Sequence, residues 1–104
     1  MSDRQEKVRE LLRHLAAQFI AEEANKTPLI TVTDVRISSA MREVAILVTV
    51  YPESGEEAAL AYLLRKRADF RTFVKANARM QRLPRFDFGI DRGEKHRQRI
   101  DELI

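Results

Sequence analysis

Val8, Leu11, Leu12, Leu15, Ala16, Phe19 and Ile20 recur three and four residues apart, whereas Arg9, Arg13, Gln18 and Glu22 fall outside that spacing. That spacing places the apolar set on one stripe of a helix. Pro28 closes the helix, because the residue before a proline is pushed out of the helical region. The period then changes. Leu29–Ser38 is rich in β-branched residues and reads as a strand, with an alternation that changes phase at Thr33-Asp34. A β-bulge at that point reconciles its two halves. After the turn-like Ser38-Ser39-Ala40-Met41, Val44, Ile46, Val48 and Val50 alternate with more exposed types up to Tyr51. Two strands so close in sequence predict an antiparallel hairpin, closed by Pro52-Glu53-Ser54-Gly55.

Helical spacing returns from about Glu56 to Leu83. Leu60, Leu63 and Leu64 centre on one direction of the helical wheel, and Phe70, Phe73, Val74 and Asn77 on another about 80° away. One straight helix cannot aim both sets at a single core, so a kink is expected around Lys66-Arg67-Ala68-Asp69. Ala68 and Asp69 are its expected residues, with Asp69 as the N-cap of the second segment. Arg71, Lys75, Arg79 and Arg82 then share the face opposite Phe70, Phe73 and Val74. Pro84 stops the helix, and Phe86, Phe88 and Ile90 alternate as a third strand. The stretch Arg92–Ile104 offers only Ile100, Leu103 and Ile104 for burial, as a short docked helix or a frayed tail. The expected fold is a small α+β domain of order α-β-β-α-α-β spanning residues 1–104.

Composition narrows the chemistry. The chain has 104 residues, 44% of them apolar and 34% charged, enough for one domain with one core. Cysteine is absent, which excludes disulfides, thiolate metal sites and thiol nucleophiles. The N-terminal MSDRQEKVRE is charged, and no apolar run approaches the roughly 18–20 residues of a membrane span; an intracellular, cytoplasmic protein is expected. His14 and His96 lie in opposite halves of the chain, and neither stands in a metal-binding motif. The glycines are Gly55, Gly89 and Gly93, so no phosphate-cradling glycine loop is possible. No enzyme, no metal and no cofactor are expected.

Charge is unevenly distributed. Residues 1–64 carry seven basic and ten acidic side chains, and residues 65–99 carry twelve basic and four acidic ones. Nine of those twelve are arginine, the better ligand for phosphate and base. A basic half on a small domain is the footprint of a polyanion binder. The expected nucleic-acid-binding residues are Arg67, Arg71, Lys75 and Arg79, flanked by Lys66, Arg82 and Arg85. Reversing the charge of Arg71 and Lys75 is expected to abolish binding and leave stability nearly unchanged. The rival reading is a protein–protein adaptor or homodimer without a nucleic-acid partner, using an exposed edge of the Val44–Val50 strand.

The order of elements resembles a type II KH-like domain, and the residues resemble the ribosome-binding factor A family. The similar segments are Arg4-x-x-Lys7-Val8…Leu15-Ala16…Ile20, Ile30–Ser38 and Val44–Val50. The strongest is Arg79-Met80-x-Arg82-Leu83-Pro84-Arg85-Phe86-x-Phe88-x-Ile90-Asp91-x-Gly93, followed by Ile100-x-x-Leu103. Where that family usually carries Ala-x-Gly at the helix break, this chain has Lys66-Arg67-Ala68. The resemblance implies that the break stands in for the GxxG loop with which KH domains clamp single strands. It also implies that the nucleic acid is RNA and that the protein is an assembly factor that binds free, immature 30S subunits and 16S rRNA near the 5′ terminal helix; a monomer is expected. Such a factor promotes late maturation and rRNA processing and matters most in the cold.

Overall fold

A computed structural model describes residues 3–23 and 28–93. Helix α1 (Asp3–Glu23) is followed by strands β1 (Leu29–Ile37) and β2 (Glu43–Tyr51) and a short 3-10 turn (Glu53–Gly55). Helices α2 (Glu56–Arg65) and α3 (Arg67–Asn77) lead to strand β3 (Arg85–Ile90). This is the expected α-β-β-α-α-β order. The helix or tail anticipated over Arg92–Ile104 falls, beyond Gly93, outside the described residues.

The sheet has the order β1-β2-β3. β1 and β2 form the antiparallel hairpin, and their register shifts between Val32 and Asp34, so Thr33 is the bulged residue that the change of phase predicts. β3 pairs with the other side of β2 in parallel, from Glu43↔Arg85 to Val48↔Ile90. The α2–α3 pair supplies the crossover that a parallel neighbour requires. Val44, Ile46, Val48 and Val50 face the helices and are buried. From α1 they meet Leu12, Leu15, Ala16, Phe19 and Ile20; Leu11, expected on the same stripe, lies exposed at its margin. Phe70 is fully buried, with ring centroids at 5.3 Å from Phe19, 5.0 Å from Phe86 and 5.6 Å from Phe88. The aromatic residues of the basic half therefore build the core, at separations that favour tilted and edge-on packing.

Two expectations about the second helical region need correction. The break consists of one residue, Lys66, with φ −95° and ψ 8°, which is both C-cap of α2 and N-cap of α3. Ala68 and Asp69 lie inside the first turn of α3, so Asp69 is not the N-cap. A single residue in the bridge region between the helical and extended basins redirects the chain enough to aim Leu63 and Phe70 at one core. The second correction concerns length. α3 ends at Asn77, and Ala78 is extended at φ −141° and ψ 148°. Continued at 100° per residue, the helix would turn Gln81 into the apolar stripe and Leu83 out of it. An irregular 78–84 segment, extended at Ala78 and bent at Gln81-Arg82, instead lets Met80 and Leu83 pack against the core and buries Pro84.

Candidate nucleic-acid interface

At the break, the Lys66 N–H bonds Leu63 O at 3.0 Å, and the Phe70 N–H bonds Lys66 O at 2.9 Å, the first hydrogen bond of α3. The N–H groups of Arg67, Ala68 and Asp69 precede that bond, and all three residues are exposed. The first turn thus presents donors along the helix axis with no side-chain cap over them. The Lys66 side chain, however, folds inward over the junction. Its ammonium lies 5.7 Å from the Tyr62 ring centroid and 3.5 Å from both Glu23 Oε1 and Asp69 Oδ2. Tyr62, helped by Asp69 and Glu23, holds this ammonium above the ordinary lysine pKa against a lesser opposing effect of desolvation. Tyr62 in turn donates its hydroxyl to Glu23 O at 2.7 Å. Lys66 clamps the end of α1 to the helix break.

The remaining expected cations divide into two groups. Arg67 donates Nε to Leu64 O at 3.0 Å and pairs through its guanidinium with Asp87 Oδ1 at 3.3 Å. Arg71 donates to Pro84 O at 2.8 Å, bracing the 78–84 segment against α3. These two are structural contacts first. Lys75, Arg79, Arg82 and Arg85 have no side-chain partner among the described residues, and all are exposed. Only Lys75 of these four is on α3; Arg79 and Arg82 belong to the following segment and Arg85 opens β3, so the expected four-residue helical row does not form.

The structure adds residues that periodicity could not indicate. Arg85 N–H bonds Arg42 O at 2.8 Å, which brings exposed Arg42 of the β1–β2 turn beside the start of β3. Between α3 and the 78–84 segment lies a groove of about 340 Å³, lined by Arg71, Thr72, Lys75, Met80, Gln81 and Leu83. Cations on the rim of a preformed recess suit a phosphate-bearing ligand. Among the described residues no cluster of three or more His, Asp or Glu is placed to hold a metal. No described helix is long and apolar enough to cross a membrane.

Among the described residues, three helices packed on one face of a three-stranded sheet, two of them joined by a break where a glycine loop would otherwise sit, define a type II KH-like domain. A family model described as Ribosome-binding factor A matches residues 4–104. The chain belongs to the ribosome-binding factor A family. It is 33% identical, over its whole length and 90% of the relative's, to ribosome-binding factor A of Chlorobaculum tepidum. The crystal structure of ribosome-binding factor A from Thermus thermophilus superposes with a TM-score of 0.74 at 28% identity, covering 84% of this chain and 96% of that one. A Thermus thermophilus ribosome binding factor A model fitted into a cryo-EM map of a 30S complex gives a TM-score of 0.68 at 28% identity, covering 78% of this chain and 88% of that one.

Proposed function

We propose that the protein is a ribosome-binding assembly factor that docks on free, immature 30S subunits through 16S rRNA and promotes late maturation and rRNA processing. It acts as a cytoplasmic monomer and without catalysis. Binding energy alone stabilises one rRNA conformation and shifts the folding population towards it. The observation that supports this best is the open set Lys75, Arg79, Arg82 and Arg85, four exposed cations without a side-chain partner among the described residues. The relative fitted into a 30S complex supports the choice of subunit. The expected target, from the sequence resemblance, is the region of the 5′ terminal helix.

Sedimentation of the full chain against purified 30S, 50S and 70S particles tests this reading. Co-sedimentation is expected with free 30S subunits only, weakening steeply between about 50 and 200 mM salt because phosphate neutralisation releases counterions. Equal association with 50S, or none with 30S at low salt, overturns it.

A further inference from the structure

The groove beside α3 has features that phosphate contacts alone do not require. Its floor is apolar: Met80 and Leu83 are half-buried and rest on the core. Exposed Gln81 stands at its edge, and Thr72 and Lys75 form the opposite wall. Both ends of the segment are tied to α3. Ala78 N–H bonds Val74 O at 2.9 Å at one end of the segment, and Arg71 bonds Pro84 O at 2.8 Å at the other. At about 340 Å³ it sits at the small end of ligand clefts, roughly 300–1,000 Å³.

Phosphate contacts need cations and polar donors but no apolar floor. A flat ring with hydrogen-bonding edges needs an apolar floor with a polar group at the side, and this groove provides that. The Gln81 amide carries both a donor and an acceptor, the complement of a base edge. Lys75 on one wall, with Arg79 and Arg82 on the same segment as Gln81, supplies positive charge for the phosphates on either side. We propose that the groove between α3 and residues 78–84 receives one unpaired nucleobase of an RNA strand, with Gln81 reading its edge and Lys75 holding an adjoining phosphate. This deepens, and rests on, the reading of the protein as an RNA-binding factor. It requires that the docking element contain an unstacked nucleotide, because bases inside an A-form helix are stacked and paired and cannot enter.

Fluorescence anisotropy of the full chain with a mixed-sequence RNA of about twelve nucleotides, alone and annealed to its complement, tests the proposal. The single strand is expected to bind roughly tenfold more tightly than the duplex at equal salt. Gln81→Ala, at an exposed position, is expected to keep its thermal stability and to lose affinity for the single strand several-fold. In methionine-methyl NMR, the single strand moves the Met80 resonance upfield by ring current and leaves Met41, which does not line the groove, in place. Equal affinity for strand and duplex with an unmoved Met80 methyl overturns the assignment, as does equal displacement of the strand by polyglutamate. Retained 30S co-sedimentation in that case removes the nucleobase site and leaves the assembly role standing. Loss of 30S binding with the strand preference intact does the reverse.

Discussion

The hydroxyl of Thr33 donates to Asp91 Oδ2 at 2.5 Å, joining the bulge of β1 to the residue after β3 across the intervening β2. Asp91 is itself fixed, since its N–H bonds Val48 O at 2.7 Å and its Oδ1 accepts the Gly93 N–H at 2.9 Å. The bulge therefore aims a side chain as well as correcting register. It also gives the Ile90-Asp91-x-Gly93 stretch a structural part: Gly93 has φ +95°, which only glycine adopts without strain. Thr33→Val is expected to lower stability by about 1–2 kcal/mol, the cost of a charge-assisted bond lost in a half-buried place. Thr33→Ser should recover most of the loss. Urea unfolding of the three proteins decides it, and a Thr33→Val midpoint equal to wild type would show that the contact contributes nothing.

Both edges of the sheet are closed by the same device. On β1, the outward-facing Val35 N–H bonds Asp34 Oδ1 at 2.8 Å, and Arg9 of α1 donates to Val35 O at 3.1 Å. On β3, the outward-facing Phe88 N–H bonds Asp87 Oδ1 at 2.9 Å, and Arg67 pairs with that carboxylate. Exposed strand edges recruit other strands, and charged side chains turned onto the edge prevent it. This arrangement disfavours the adaptor or homodimer that would pair through an edge, and β2, the strand expected to offer one, is the central strand. Asp34→Ala combined with Asp87→Ala is expected to produce a concentration-dependent dimer in sedimentation velocity, with the wild type monomeric. A double variant that stays monomeric at every concentration removes the capping argument.

The Lys66 clamp predicts a pH dependence. Its pKa is raised in the folded protein, mainly by Tyr62, above the ordinary value of 10.5 that the unfolded chain keeps. The folded state thus binds the proton more tightly than the unfolded state does. The stabilisation is complete below pH 10.5 and declines as pH rises through the folded value. The difference in melting temperature between wild type and Lys66→Met should be constant from neutral pH upwards and shrink above that point. A difference that begins to close near neutral pH would assign the effect to another group.

Much of this architecture is legible in the chain. The phase change at Thr33-Asp34 encodes the bulge, and the angular offset between Leu63 and Phe70 encodes the break. The end of α3 is not legible in the same way: the propensities of residues 78–83 favour a helix, and only Gln81, which would fall on the apolar stripe, speaks against one. The candidate site is less readable because its partners are backbone groups remote in sequence. Nothing in the periodicity tells Arg71 that Pro84 O lies within reach, or sets Arg42 against Arg85, because both depend on β3 entering parallel to β2. Nor does it separate Lys66, folded over Tyr62, from Lys75, which extends into solvent.

That separation corrects the expectation that Arg71 and Lys75 act alike. Arg71 holds Pro84 O and with it one end of the groove, so Arg71→Met is expected to cost about 1–2 kcal/mol of stability and to loosen the 78–84 segment. Lys75 has no partner among the described residues, and Lys75→Met should leave stability within about 0.5 kcal/mol of wild type. Its effect belongs to binding. Removing one phosphate contact should lower the slope of log affinity against log salt by about one and weaken binding uniformly across RNA sequences. Arg71→Met, acting through the shape of the groove, should weaken binding with a smaller change in that slope. Thermal melts and salt titrations of the two single variants against 30S subunits separate the roles. Equal losses of stability in both would mean that Lys75 also belongs to the scaffold, and an unchanged salt slope for Lys75→Met would remove it from the phosphate-binding set.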